Sequence, residues 1–243
     1  MITTYIIIGA IAVVGVILCF CLSVASFASQ NFYEKLEENQ QKANSQGIRT
    51  VDYVQTINGQ NFGGRLRIER CAQYDDHYST GVVALSSETM YSNSLASLAT
   101  VSHELGHARQ DAEGNKLQKH WKMKQAGRLC GLFFMPVVIA GIVLSVLYLV
   151  DILPQFIALV GGLALIALGV LIFLFAVFLK YKEIQIEKEA SKYAIEFLQE
   201  VLSRAECKEC EEFLNSARLT YWAVFFKTLL SWTFLTSKDP MFR

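Results

Sequence analysis

His103-Glu104-Leu105-Gly106-His107 (HELGH) sets two imidazoles four positions apart with a carboxylate beside the first. On an α-helix, side chains four apart share one face, so both rings reach a single metal ion while Glu104 points alongside it. Two neutral imidazoles and one further protein ligand leave a coordination position for water on zinc, which lowers the pKa of that water to about 7. Glu104 is then placed to take its proton, and the hydroxide to attack a peptide carbonyl. Half of the four histidines in the chain fall in this one motif.

The residues just upstream prepare the helix that the motif needs. Asn93 or Ser94 is expected to cap it, and Leu95, Leu98, Val101 and Leu105 keep a helical period through HELGH. Gly106 is a poor helix former whose place inside the motif implies close approach of a neighbouring backbone or of substrate. Farther back, Arg65 to Glu69 alternates polar and apolar residues like a half-buried strand, and Gly81 to Leu85 reads as another. Val82 to Leu85 is expected either as a core strand or as an open edge on which an extended peptide pairs near the metal.

The chain of 243 residues is 53% apolar and only 18% charged, unusual proportions for a soluble globule. Leu129 to Val150 carries no charge, and about 22 helical residues at ~1.5 Å each cross a hydrocarbon core of roughly 30 Å. After the turn-like Asp151-Ile152-Leu153-Pro154, the run from Gln155 to Leu179 is again uncharged, so the two stretches form a transmembrane hairpin. Tyr5 to Phe27 supplies a third uncharged segment. Ser26-Phe27-Ala28 resembles a cleavage site, but no basic residues precede the stretch and it is long for a signal peptide, so a retained anchor is the reading. A fourth stretch, Leu219 to Thr236, suits a span and an interfacial helix equally.

Lys116, Lys119, Lys122, Lys124 and Arg128 precede the hairpin and Lys180, Lys182, Lys188 and Lys192 follow it, which places both flanks, and HELGH with them, on the cytoplasmic side. A formal net charge of zero and the lack of a basic stripe with interleaved aromatics argue against a nucleic-acid partner. Cys19, Cys21 and Cys130 lie in apolar segments and the rest face a reducing compartment, so no disulfide framework is expected. The single C-x-x-C at Cys207-Lys208-Glu209-Cys210 reads as two cysteines of an amphipathic helix.

The site still lacks a ligand. Ile184 to Leu202 is strongly helical in period and offers Glu187, Glu189 and Ser191. Because the two spans return the chain to the side it left, this helix and HELGH are able to be neighbours although 80 positions separate His107 from Glu187. Ser203-Arg204-Ala205-Glu206 has the form of a capping box that starts a further helix.

Asp76-His77-Tyr78, Val82 to Ser86 (VVALS), Ser102 to Gln110 (SHELGHARQ) and Ile186 to Ser191 (IEKEAS), in this order around a hydrophobic hairpin, resemble the YugP-like bacterial membrane zinc metallopeptidases. The resemblance implies a zinc-dependent endopeptidase built into the membrane, with Zn2+ held by His103, His107 and Glu187 and with Glu104 as base. Related membrane peptidases often carry Asp four residues after the ligand glutamate, where this chain has Ser191. His77 and Tyr78 are candidates for stabilising the oxyanion.

The expected fold is a mainly α integral membrane protein, with a zincin-like HExxH core, a small β-sheet and a transmembrane hairpin inserted between the zinc-ligand helices. Its parts are an anchor (1–28), a cytosolic part with the sheet and the HELGH helix (29–128), the hairpin (129–179), cytosolic helices with the third ligand (180–217) and a C-terminal hydrophobic helix (218–243). The expected function is hydrolysis of peptide or membrane-protein substrates at the cytoplasmic face of the cell membrane by a multi-pass protein in contact with the lipid bilayer. A membrane scaffold or sensor that binds zinc without catalysis is the alternative. Substrate identity and oligomeric state stay open.

Overall fold

The computed structural model describes residues 2–73, 75–114, 116–150, 152 and 156–230. They form seven helices and three short strands: α1 (Ile2–Gln41), α2 (Thr50–Phe62), β1 (Arg67–Arg70), β2 (His77–Ser79), β3 (Val82–Leu85), α3 (Ser87–Tyr91), α4 (Leu95–Ala112), α5 (Lys116–Leu149), α6 (Phe156–Leu198) and α7 (Arg204–Leu230). Two compact units result, one holding the chain through Leu117 together with Gln185–Lys227, the other built around Gln118–Ile184.

The helix starts follow from local chemistry. The Ser94 side chain accepts the Ser97 N–H and thereby caps α4, which decides between Asn93 and Ser94. At α7 the capping box forms: Glu206 Oε2 accepts the Ser203 N–H at 3.0 Å, and Ser203 Oγ in turn accepts the Glu206 N–H. The helix at the amino terminus shows no break at residue 28; α1 runs unbroken to Gln41, and its polar end is tied to α7 by Lys35–Glu212 and Lys42–Glu209 ion pairs.

In the first unit the core gathers around α4. Leu98, Val101 and Leu105 are fully buried on one stripe of that helix, packed with Tyr53 and Ile57 of α2, Val83 and Leu85 of β3, Phe197 and Leu198 of α6, and Cys210 and Phe213 of α7. Tyr53 Oη and Ser102 Oγ are 2.7 Å apart, and Ser102 Oγ donates to the Leu98 carbonyl, so the polar atoms in this core are satisfied. Cys207 and Cys210 belong to the same core. Burial pushes the Cys210 thiol up to about 12, and its Sγ donates to the Leu95 carbonyl, so this pair serves packing.

The sheet has the order β1-β3-β2, with β1 parallel and β2 antiparallel to β3. Thr80 and Gly81 both have positive φ, as the two-residue turn joining β2 to β3 requires. Val82–Leu85 is therefore the central strand, hydrogen-bonded on both sides, and the reading of it as an open edge for a peptide is corrected; β2 is the edge on one side and β1 on the other.

In the second unit α5 and the first part of α6 carry a dense set of exposed apolar side chains, among them Leu132, Phe133, Ile142, Leu163, Leu171 and Phe178. Trp121–Tyr148 and Ala158–Leu198 are long and apolar enough to cross a membrane, and only 11% and 22% of their most apolar windows are buried, which is not the pattern of core helices in a soluble protein. They meet through small residues: a Cβ on Gly141 would stand 2.6 Å from the Gly162 carbonyl oxygen. The turn expected at Asp151 to Pro154 and the end of the stretch from Leu219 to Thr236 lie for the most part outside the described residues; α7 is described through Leu230.

Candidate metal centre

His103 and His107 stand on consecutive turns of α4, with ring centroids 4.7 Å apart and ring planes at 84°. Glu187, on α6, meets both: its Oε2 lies 3.1 Å from His103 Nε2 and 3.4 Å from His107 Nε2. A ligand atom from each of the three residues falls within 4.8 Å of the others. Around a tetrahedral zinc ion with ligand bonds of about 2.0–2.1 Å, neighbouring ligand atoms are about 3.3 Å apart, which the two observed histidine–carboxylate distances already match.

What brings the two helices this close is Gly106. An added Cβ there would stand 2.3 Å from the carbonyl oxygen of Ala190, so the backbones of α4 and α6 touch at the one position of the motif that carries no side chain. Glu187 precedes Ala190 by one turn and is therefore delivered over the imidazoles.

The outer contacts set the protonation of both rings. Ser191 Oγ donates to the Glu187 carbonyl at 2.9 Å and lies 3.2 Å from His103 Nδ1, so with its one proton spent it accepts from an Nδ1–H. Gln110 uses its amide nitrogen to donate to the Ile186 carbonyl and to Glu189, leaving Oε1 to accept from His107 Nδ1 at 3.0 Å. Both histidines are thus held with Nδ1 as donor and Nε2 turned towards Glu187, the arrangement in which Nε2 ligates a metal. Burial alone would lower the pKa of His107, but the adjoining Glu187 carboxylate outweighs it and raises the value to about 9. The same field that favours a proton at Nε2 favours a cation there.

Glu104 lies one step round the helix and is half-buried. Its Oε2 accepts the backbone N–H of Tyr78 at 2.7 Å, so the edge strand β2 fixes the carboxylate, and burial pushes its pKa up. Tyr221 of α7 donates its hydroxyl to Glu187 Oε2 at 3.1 Å. Of His77 and Tyr78, Tyr78 contacts the site, while His77 has no contact with it among the described residues. His77 is exposed, with Nδ1 2.6 Å from the Asp75 carbonyl, and the Tyr78 hydroxyl donates to Asp111. Tyr78 enters through its main chain alone.

The structure therefore brings His103, Glu104, His107 and Glu187 together, and it separates the three residues offered by α6: Glu187 is central, Ser191 backs His103 and Glu189 backs Gln110. Gln110 and Tyr221 were missed. Gln110 had a local signal, since it lies three residues after His107 on the same helix face. Tyr221 had none.

The donor set of two imidazoles and a carboxylate, with both imidazoles oriented from behind, fits zinc. The chain belongs to the family described as "Putative neutral zinc metallopeptidase", which matches residues 12–237. It is also similar to a Bacillus subtilis (strain 168) protein described as "Putative membrane protease YugP", with 28% identity over 205 residues that cover 82% of this chain and 83% of the relative. No solved structure matches the chain. Membership in this family implies Zn2+ as the cofactor and a peptide as the class of substrate, and His103, His107 and Glu187 form the candidate site.

Proposed function

We propose that the chain is a membrane-embedded, zinc-dependent endopeptidase that hydrolyses peptide bonds of membrane or membrane-proximal proteins at the cytoplasmic face. The observation that carries this reading is the convergence of His103, His107 and Glu187 with a carboxylate, Glu104, fixed beside them. His103, His107 and Glu187 would hold the ion. When bound, zinc supplies Lewis acidity, polarising a peptide carbonyl and acidifying water to about pKa 7.

Glu104 does the proton transfer. Oε2 is tied to the Tyr78 N–H, and Oε1, which has no hydrogen-bond partner among the described residues, accepts a proton from water as the water oxygen bonds to the carbonyl carbon. The same proton passes to the amide nitrogen as the C–N bond breaks and the amine leaves. Burial, by raising the Glu104 pKa, makes it a stronger base. We assign to the Tyr221 hydroxyl, whose one proton is given to Glu187 Oε2 and would be released were that oxygen to hold the ion, the stabilisation of the carbonyl oxygen expected of His77.

Residues 129–179 are assigned as a transmembrane hairpin that lies between His107 and Glu187 in the chain, its second arm continuing along α6 into the turn that carries Glu187. The length and apolar surface of α5 and α6 support it, and the lysines and arginines on both flanks support a cytoplasmic orientation. The test is Glu104→Gln in full-length protein in detergent or nanodiscs. It is expected to retain one zinc per chain and the wild-type melting profile while losing peptide cleavage by at least about a thousandfold. Cleavage that survives the substitution overturns the assignment.

A further inference from the structure

A cavity of about 450 Å³ lies within the first unit, walled by α1, α4, α7 and the segment from Ser86 to Ser92. Its lining comes nearest the metal centre at Thr100, one turn ahead of Glu104 on α4, and at Tyr221, whose hydroxyl donates to Glu187. The Phe32 and Phe213 rings, stacked with centroids 5.8 Å apart, lie on its apolar side. The lining also includes two carboxylates, Asp76 and Glu88.

Among the described residues, these carboxylates meet neutral donors only. Asp76 accepts the Ser86 N–H at 2.5 Å and the Thr89 hydroxyl at 2.6 Å, and Glu88 accepts from the Gln73 amide at 2.6 Å. Among the described residues, no lysine, arginine or histidine lines the cavity. The charge of both groups is thus hydrogen-bonded but balanced by no cation among the described residues. An apolar wall beside uncompensated carboxylates matches one kind of side chain, a long aliphatic stem ending in a positive charge.

We propose that this cavity is the substrate subsite for a lysine or arginine near the scissile bond, in an extended cytosolic segment of a membrane protein. The proposal rests on the peptidase reading for the position of the scissile carbonyl. Two features select the occupant. The outer edge of β2 is engaged by Glu104 at Tyr78, so a substrate needs another hold, and the cavity shares Tyr221 with the metal centre. Segments that leave a membrane on its cytoplasmic side are enriched in lysine and arginine, so a peptidase working there meets basic residues beside each span.

The experiment measures binding on the Glu104→Gln protein, zinc-loaded and full-length, so that turnover does not enter. Fluorescein-labelled decapeptides that differ only in one central residue, Lys, Leu or Glu, are titrated by fluorescence anisotropy at about 0.15 M salt. The Lys peptide is expected to bind about tenfold more tightly than the Glu peptide, with Leu between them. Adding Glu88→Lys, a change at an exposed side chain, is expected to abolish or invert this order while the melting profile holds. Equal binding of the three peptides, or a lysine preference that survives Glu88→Lys, overturns the proposal. Wild-type cleavage is assayed separately. A protein that cuts nothing but keeps the Glu88-dependent lysine preference refutes the peptidase reading and supports the subsite; one that cuts without regard to lysine does the reverse.

Discussion

Replacing Gly106 by alanine tests the joint on which the site depends. The new methyl would stand 2.3 Å from the Ala190 oxygen and 2.9 Å from its carbonyl carbon. Ordinary contact begins near 3.5 Å, so α6 has to retreat by about 1 Å along this line. The clashing atoms are backbone and Ala190 is fully buried, so neither a rotamer change nor Ala190→Gly gives relief. Glu187 lies one turn away on the same helix and moves with it, whereas metal–ligand distances tolerate only about 0.2 Å. Overpacking of this kind costs about 1–3 kcal/mol, against which the better helix propensity of alanine returns up to about 1 kcal/mol. Zinc affinity, read by competition with a chromophoric chelator, is expected to fall at least 10–100-fold, roughly the loss seen when an outer-shell partner is removed. Gly59→Ala is the control. Gly59 lies in α2 with nothing near its Cβ position, so this change leaves zinc affinity unaltered and stability equal or higher by up to about 1 kcal/mol. A Gly106→Ala protein with wild-type zinc affinity would refute the argument.

Ser191→Ala and Gln110→Ala, which free His103 and His107 to rotate, are each expected to weaken zinc binding about 10–100-fold in the same chelator assay, whereas Ser191→Asp restores an acceptor and recovers most of the loss. Tyr221→Phe is expected to lower kcat about a hundredfold with zinc content unchanged, measured as turnover on a quenched peptide; an unchanged kcat removes Tyr221 from the oxyanion role. Glu206 carries a pH-dependent part of the stability. Burial pushes its pKa up, but hydrogen bonds from Ser203 and Ser45 hold it at about 2, below the ordinary 4.5. The stabilisation is therefore complete above about pH 4.5 and is lost as the pH falls towards 2, and it amounts to about 1 kcal/mol once solvent screening of this partly exposed group is allowed for. Glu206→Gln should lower the unfolding midpoint at pH 7 and narrow the gap to wild type at pH 3; a gap independent of pH contradicts this.

The parts of the fold legible in the sequence are those decided within a few residues. The period of Leu95, Leu98, Val101 and Leu105 with a serine cap, the Ser203–Glu206 box and the uncharged runs each express a local rule, and each corresponds to an observed helix. HELGH was legible for the same reason, because a spacing of four on a helix is geometry that needs no tertiary partner. The third ligand was only partly so. Periodicity offered Glu187, Glu189 and Ser191 without choosing, and the choice is made by the meeting of Gly106 with the Ala190 backbone, a long-range contact. Three short strands carry too little pattern to reveal which is central, so Val82–Leu85 was open to two readings that only the pairing resolves. Tyr221 lies 34 residues from the glutamate it touches, and the Tyr78 contact is made by main chain, on which residue type leaves no mark.

The most direct test of the metal centre is zinc K-edge X-ray absorption on the full-length, zinc-loaded protein. The expected result is a first shell of nitrogen and oxygen at about 2.0–2.1 Å with the outer-shell scattering of two imidazoles, and no sulfur. A sulfur shell at about 2.3 Å, which would put the ion at the cysteines, or scattering from fewer than two imidazoles, would contradict it.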